Sequence, residues 1–224
     1  MTDTDTDTTP PTTPRRIGIL GAGKVGRAVG RHWTTAGHTV TFGSRSPEGL
    51  ASFTRELGVR ARAAAPAAAA AAGDIVLLSV PHPVVEEVLD AAYGHLTGKI
   101  VIDATNPMGL SPDGRIISTL DAGLTQGRRT AKFLPDSTVI RAFTHVMDEL
   151  LCSRGTRQPH FWGMALAGDD PDAKAVVAGL IHDAGFTPVD LGGLDDSSAL
   201  DPGGPIFPHL FTPADLRSAA GLGG

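Results

Sequence analysis

Two hydrophobic periods alternate along this chain from about residue 15 onward. Short apolar runs, of the kind found in strands buried on both faces, occur at Ile17 to Leu20, Thr39 to Gly43, Asp74 to Val80, Lys99 to Asp103 and Thr138 to Phe143. Between them apolar residues recur at helical spacing, as in Val25, Ala28, Val29, Trp33 and Ala36. The same reading predicts a helix over Pro47 to Gly58 and a short third strand over Val59 to Arg62. The alanine run Ala63 to Ala72 reads as a surface helix with Pro66 near its start, and another helix opens at Pro81. Later, Phe161 to Ala167 reads as a strand, Pro171 to Ala184 as a helix capped by Asp169 or Asp170, and Thr187 to Leu191 as a last strand.

Strands alternating with helices call for an α/β fold, a doubly wound parallel sheet with a small C-terminal α/β extension. Ligands on such sheets lie outside the carboxyl ends of the strands. That rule singles out the loops Gly21 to Gly26, Gly43 to Ser46, Ser79 to Pro83, Ala104 to Met108 and the Thr144-His145 strand end.

The first of these loops carries the chemistry. Gly21, Gly23 and Gly26 form G-x-G-x-x-G between an apolar strand and an amphipathic helix, which makes the sheet Rossmann-like. In 224 residues with 28 glycines the spacing alone is weak, and the strand and helix around it give it weight. Gly21 permits the tight turn, Gly23 lets backbone approach a pyrophosphate, and Gly26 lets the helix pack closely on the sheet. Free amides and the helix dipole favour the anion there. About 20 residues on, an NAD site carries an acid for the ribose 2′-hydroxyl. This chain has Gly43, then Ser44, Arg45 and Ser46. A guanidinium and hydroxyls suit a 2′-phosphate that a carboxylate would repel, so NADP is expected over NAD.

Bulk properties narrow the class. The formal charge is −5, and Asp3, Asp5 and Asp7 of the N-terminal stretch supply part of it, so no nucleic-acid surface is expected. No apolar run approaches the roughly 20 residues that cross a bilayer. Residues 1–14 have neither a basic nor an apolar segment and read as a disordered tail, not a signal peptide. The single cysteine, Cys152, excludes an internal disulfide, fits a cytoplasmic protein and reads as a packed free thiol. No spacing of His, Cys or carboxylate resembles a zinc or iron site, so no metal is expected. The chain then divides into the tail, an NADP-binding domain over 15–150 and a small segment over 151–224 for substrate binding or dimerisation.

The segments Ile-Gly-Ile-Leu-Gly-Ala-Gly-Lys-Val-Gly26, Phe-Gly-Ser-Arg45, Asp74 to Pro81, Val-Ile-Asp-Ala-Thr-Asn-Pro107, Val139 to Phe143 and Ala-Gly-Asp-Asp170 occur in order. In these the chain resembles the NADPH:coenzyme F-420 oxidoreductases. The resemblance implies a small, homodimeric enzyme in which hydride passes between NADPH and a deazaflavin, coenzyme F-420. It implies a pyrophosphate turn at Gly21, Gly23, Lys24 and Val25, and a 2′-phosphate site at Ser44, Arg45 and Ser46. Val80, Pro81 and His82 would wall the cofactor ribose, and Asn106 and Pro107 would lie toward the nicotinamide. Relatives often end the sixth strand with Phe-Asn-Thr, whereas this chain has Phe143-Thr144-His145, and its ending from Asp201 to Gly224 also departs from theirs.

Both departures fall where a second substrate is expected, which keeps two other readings open. One is an NADPH-dependent reductase of a small imine or alkene, with His145 as proton donor; a loop histidine bonded to backbone is the competing reading of that residue. The other is a non-catalytic module that senses NADP. In the first two, the partner is a small-molecule hydride acceptor or donor.

Overall fold

The computed structural model describes residues 13–222, so residues 1–12 of the expected tail lie outside the described residues. The first half runs β1 (Arg16–Leu20), α1 (Lys24–Thr35), β2 (Thr39–Gly43), α2 (Ala51–Leu57), β3 (Ala61–Ala64), α3 (Pro66–Ala72), β4 (Ile75–Leu78), α4 (Val85–Ala92) and β5 (Ile100–Asp103). A hairpin of β6 (Met108–Leu110) and β7 (Ile116–Ser118) follows, then α5 (Gln126–Phe133) and β8 (Thr138–Ala142). The chain ends with α6 (Asp148–Arg157), β9 (Gly163–Gly168), α7 (Pro171–Asp183), β10 (Thr187–Asp190) and α8 (Pro213–Ala219).

One eight-stranded sheet, in the order β10-β9-β8-β5-β4-β1-β2-β3, organises these elements. From β3 to β8 the neighbours are parallel, as expected. β9 runs antiparallel to β8, and β10 is parallel to β9, so the sheet is mixed. The expected C-terminal α/β extension thus adds β9 and β10 to the edge of the same sheet. An apolar strand buried on both faces looks alike in either direction, which is why its sequence could not reveal the reversal.

Successive strand residues feed cores on opposite faces. Ile17, Ile19, Ile75, Leu77 and Ile102 join one cluster with Trp33 and Phe186, and Leu20, Val76, Leu78 and Val101 join another with Leu89 and Leu96. Trp33 Nε1 donates to Leu180 O at 2.8 Å, pinning α1 to α7. The alanine helix α3 exposes Ala68, Ala71 and Ala72, as expected of a surface helix, but buries its other face. Ala69 and Ala70 are fully buried, and a Cβ on Gly18 of β1 would collide with Ala69 O, so small residues on both sides let helix and strand lie backbone to backbone. Asp170 caps α7 by accepting from Ala173 N at 2.7 Å, as expected, while Asp169 turns away to Arg128. Residues 200–220 fold back over β9 and β10, where Leu200, Ile206 and Leu216 are buried with Ala165 and Val189.

Candidate functional site

Strand register sets the site. Gly43, Leu20, Leu78, Asp103 and Arg141 sit side by side in one row across five parallel strands, so the loops that follow them leave from the same edge. The order reverses between β1 and β4, and a crevice opens at that switch point. Its volume is about 310 Å³, and it is lined by Gly21, Gly23, Ser44, Arg45, Val80 and Pro81 among the residues singled out in the sequence.

The glycine turn is built as its spacing requires. Gly21 has φ +103°, and a Cβ there would meet Ser79 O at 2.6 Å. Gly21 N donates to Gly43 O, which ties the turn to the end of β2. A Cβ at Gly26 would collide with Gly21 O, so the third glycine is fixed by packing. At Gly23, which caps α1, a Cβ would meet nothing within 4 Å. No side chain caps this helix and its first turn holds no acid, so its amide end faces the crevice without a competing carboxylate of its own.

Other expected contacts sit differently. Lys24 Nζ lies 3.4 Å from Asp148 at the start of α6, outside the crevice lining. Val25 packs against the core, leaving its backbone amide as what it can offer a ligand. Ser46 N donates to Ser44 Oγ at 3.1 Å, a local turn that shapes the strand end. His82 starts a short helical turn beyond β4 and is half-buried. Its pKa is lowered, first by desolvation and then by Arg129, while Gln126, Asp103 and Glu86 oppose the shift. The lining also includes residues that the sequence reading passed over: Arg27, Leu50, Val84, Glu87 and Val88. Arg27 had a signal, since it follows Gly26 in the first turn of the helix.

Asn106 follows the end of β5 and, like Ser46, His82 and Pro107, is outside the crevice lining. Its Nδ2 donates to Thr144 O at 3.0 Å, while its Oδ1 is buried with no partner. A buried carbonyl oxygen without a donor is costly unless a ligand supplies one, so this atom fits an amide-bearing ring at the far end of a dinucleotide. Behind it, Asp103 accepts from Thr105 N and Thr130 Oγ1, and the buried Arg141 lies 3.2 Å from its carboxylate. Pro107 is buried beside them.

His145 is fully buried. Ala165 N donates to its Nε2 at 3.1 Å, so the ring proton sits on Nδ1 and is donated to His209 O at 3.0 Å. Both nitrogens are consumed by backbone groups, and burial pushes the pKa down to about 4. This geometry gives His145 the backbone-bonded role and leaves it no proton to offer a substrate. Stability should follow. The folded ring stays neutral to about pH 4, whereas the unfolded ring takes up a proton near 6.5, so acid favours unfolding between those values. His145 should cost about 3 kcal/mol of stability as pH falls through that window, and none above it. Denaturant titrations of the wild type and of His145→Gln at pH 7 and pH 4.5 check this. The variant should lose less on acidification; an equal loss would assign the acid sensitivity to other groups.

Cys152, expected to be packed, is exposed on α6. Among the described residues no group of three or more His, Cys, Asp or Glu is placed to hold a metal, and no helix is long and apolar enough to cross a membrane. A larger open cleft of about 770 Å³ between the ends of α1, α6 and α7 contains none of the residues expected to bind nucleotide.

Residues 16–107 match a family model described as NADP oxidoreductase, coenzyme F420-dependent. The F420-dependent NADP reductase of Methanothermobacter thermautotrophicus is 28% identical over 214 residues, covering 90% of each chain. The metalloreductase STEAP3 of Rattus norvegicus is 26% identical over 80% of this chain, which spans only 34% of that protein's length. Among solved structures, a hypothetical protein from Sinorhizobium meliloti superposes with a TM-score of 0.77 at 27% identity, over 88% of this chain and 95% of that one. An imine reductase from Aspergillus terreus in complex with NADPH4 shares the fold, with a TM-score of 0.62 at 23% identity over 94% of this chain and 62% of its own.

Proposed function

We propose that this chain is an NADP-dependent oxidoreductase of the coenzyme F420-dependent family, and that its hydride partner is a deazaflavin coenzyme. The observation that carries the reading is the convergence, on one crevice, of an uncapped glycine-turn helix start and a Ser44-Arg45 strand end that lacks an acid. When bound, the nicotinamide nucleotide supplies the hydride. The chain binds, orients and shields.

Each wall has its part. The first-turn amides after Gly23 receive the pyrophosphate, and Arg27 on the same wall adds a cation. Arg45 and Ser44 hold the 2′-phosphate through charge-assisted and neutral hydrogen bonds. Val80, Pro81, Val84 and Val88 present apolar surface to the flat base. Asn106, whose Oδ1 has no protein partner, would accept from the nicotinamide amide when the nucleotide is bound.

The acceptor side is apolar and exposed. Directly after Pro107 the hairpin of β6 and β7 presents Met108, 57% exposed, and Leu110, 71% exposed, on one face with Ile116 paired to Leu110, and Met147 is exposed just before α6. Such a surface beside the nicotinamide end suits a large flat ring better than a small polar metabolite. No protein acid is needed for direct transfer between rings, which agrees with the engaged state of His145.

The test is to mix the purified protein with NADPH and oxidised coenzyme F-420 and follow loss of the deazaflavin absorbance. Rapid, enzyme-dependent reduction is the expected result. No reduction despite tight NADPH binding would overturn the deazaflavin assignment and turn the search to imines and alkenes. Tight binding without turnover of any acceptor would favour the sensing module.

A further inference from the structure

The residues from Asp201 onward depart from the family pattern, yet one of them reaches the centre of the molecule. Asp201 is 5% exposed, and its Oδ1 accepts from Arg141 Nη2 at 2.9 Å. Its Oδ2 accepts from Gln126 N, the first amide of α5, at 3.1 Å. Arg141 in turn spends its other arm on backbone: Nη1 donates to Asp103 O at 3.1 Å and to Thr105 O at 2.7 Å. Those two carbonyls bracket Ala104 and hold the strand end that leads straight into Asn106. A second thread runs in parallel. The Asn106 amide donates to Thr144 O, and Thr144 Oγ1 reaches Leu200 O, the residue before Asp201, at 3.5 Å.

We infer that Asp201 is a positioning residue through which the C-terminal segment sets Asn106, and with it the nicotinamide end of the site. The inference rests on the NADP reading above. A guanidinium has five donors in a rigid plane, so the carboxylate at one end fixes the angle at which the other end grips the carbonyls. Without Asp201 the buried cation keeps only Asp103 as a charged partner, and the plane that holds Thr105 O is free to tilt. A tilt there moves Asn106, whose Oδ1 has no protein partner to restrain it. The crevice around Gly21 and Arg45 touches none of these groups. The pyrophosphate and 2′-phosphate sites should therefore be indifferent to Asp201, whereas the ring site should depend on it.

Two probes separate the ends of the site. 2′,5′-ADP carries the 2′-phosphate and no nicotinamide; NADPH carries both. Binding of each to the wild type, Asp201→Asn, Asn106→Ala and the double variant is measured by calorimetry, with the emission of bound NADPH reporting the ring's surroundings. Asp201→Asn should weaken NADPH about five- to tenfold, the worth of one well-placed hydrogen bond, and move its emission toward that of free nucleotide. 2′,5′-ADP should bind unchanged. In the Asn106→Ala background Asp201→Asn should add nothing, because both act on one contact. Equal weakening of both probes, or additive losses in the double variant, would make Asp201 a general stability residue and overturn the inference. If Asp201→Asn does not fold, Asp201→Glu keeps the charge and shifts the carboxylate by one methylene; the same selective loss is expected, and an unchanged ratio of the two affinities overturns the inference. A wild type that binds neither probe would instead sink the NADP reading beneath it.

Discussion

Arg45→Ala is expected to raise the Kd for NADPH about 30- to 150-fold while leaving that for NADH within about twofold, because two charge-assisted hydrogen bonds to a phosphate contribute about 2–3 kcal/mol. The asymmetry is the point. Arg45 lies on the crevice wall beside Ser44, at the end of β2 where an NAD site carries an acid, and it forms no ion pair among the described residues. It is also exposed, so the gap between wild type and variant should narrow as salt rises from low to physiological strength. Titrating both nucleotides at two salt concentrations checks the prediction. Parallel losses for NADPH and NADH would mean that Arg45 does not read the 2′-phosphate and that nucleotide preference is set elsewhere, with Arg27 the next residue to test.

What the sequence disclosed of this site follows from how local each constraint is. Gly21 at φ +103° and Gly26 pressed on Gly21 O are demands of a single turn, and a single turn can be read from six residues. The place of Ser44 and Arg45 on the crevice wall was legible because they follow a strand whose partner in the sheet is the glycine strand itself. The β6–β7 hairpin went unread although Pro112, Asp113 and Gly114 at its tip carry turn chemistry; its strands are three residues each, too short to display a period. The buried face of the alanine helix went unread because propensity says helix and is silent on depth, and depth here was decided by Gly18, on a strand 51 positions before Ala69. His145 stood out for its type and its position at a strand end. Its partners, Ala165 and His209, come from later in the chain and could not be guessed.

Long-range partnership also explains the largest stability effect to be expected. Arg141 is fully buried between two carboxylates, Asp103 and Asp201, separated from them by 38 and 60 positions in the chain. Nothing in the strand Thr138 to Ala142 hints that its arginine points inward. Arg141→Met would fill the volume but leave two desolvated carboxylates without a cation, and breaking a buried pair in this way costs about 3–5 kcal/mol. Against a typical total of about 5–15 kcal/mol that is severe, and for a chain of this size it corresponds to a fall in Tm of roughly 6–20 °C. The pH dependence distinguishes this cause from simple loss of packing. Burial already pushes the Asp201 carboxyl upward, with Arg141 opposing it, so removing the guanidinium raises the folded pKa further. A carboxyl with a raised folded pKa binds its proton more tightly in the native state, and its penalty appears as pH climbs above the unfolded value near 4. The deficit of Arg141→Met should therefore be largest at pH 7 and shrink toward pH 4. Adding Asp201→Asn should restore part of the stability at pH 7 by removing one stranded charge. A variant that loses less than about 1 kcal/mol, or loses the same at every pH with no relief from Asp201→Asn, would show that the buried triad contributes through shape and not through charge.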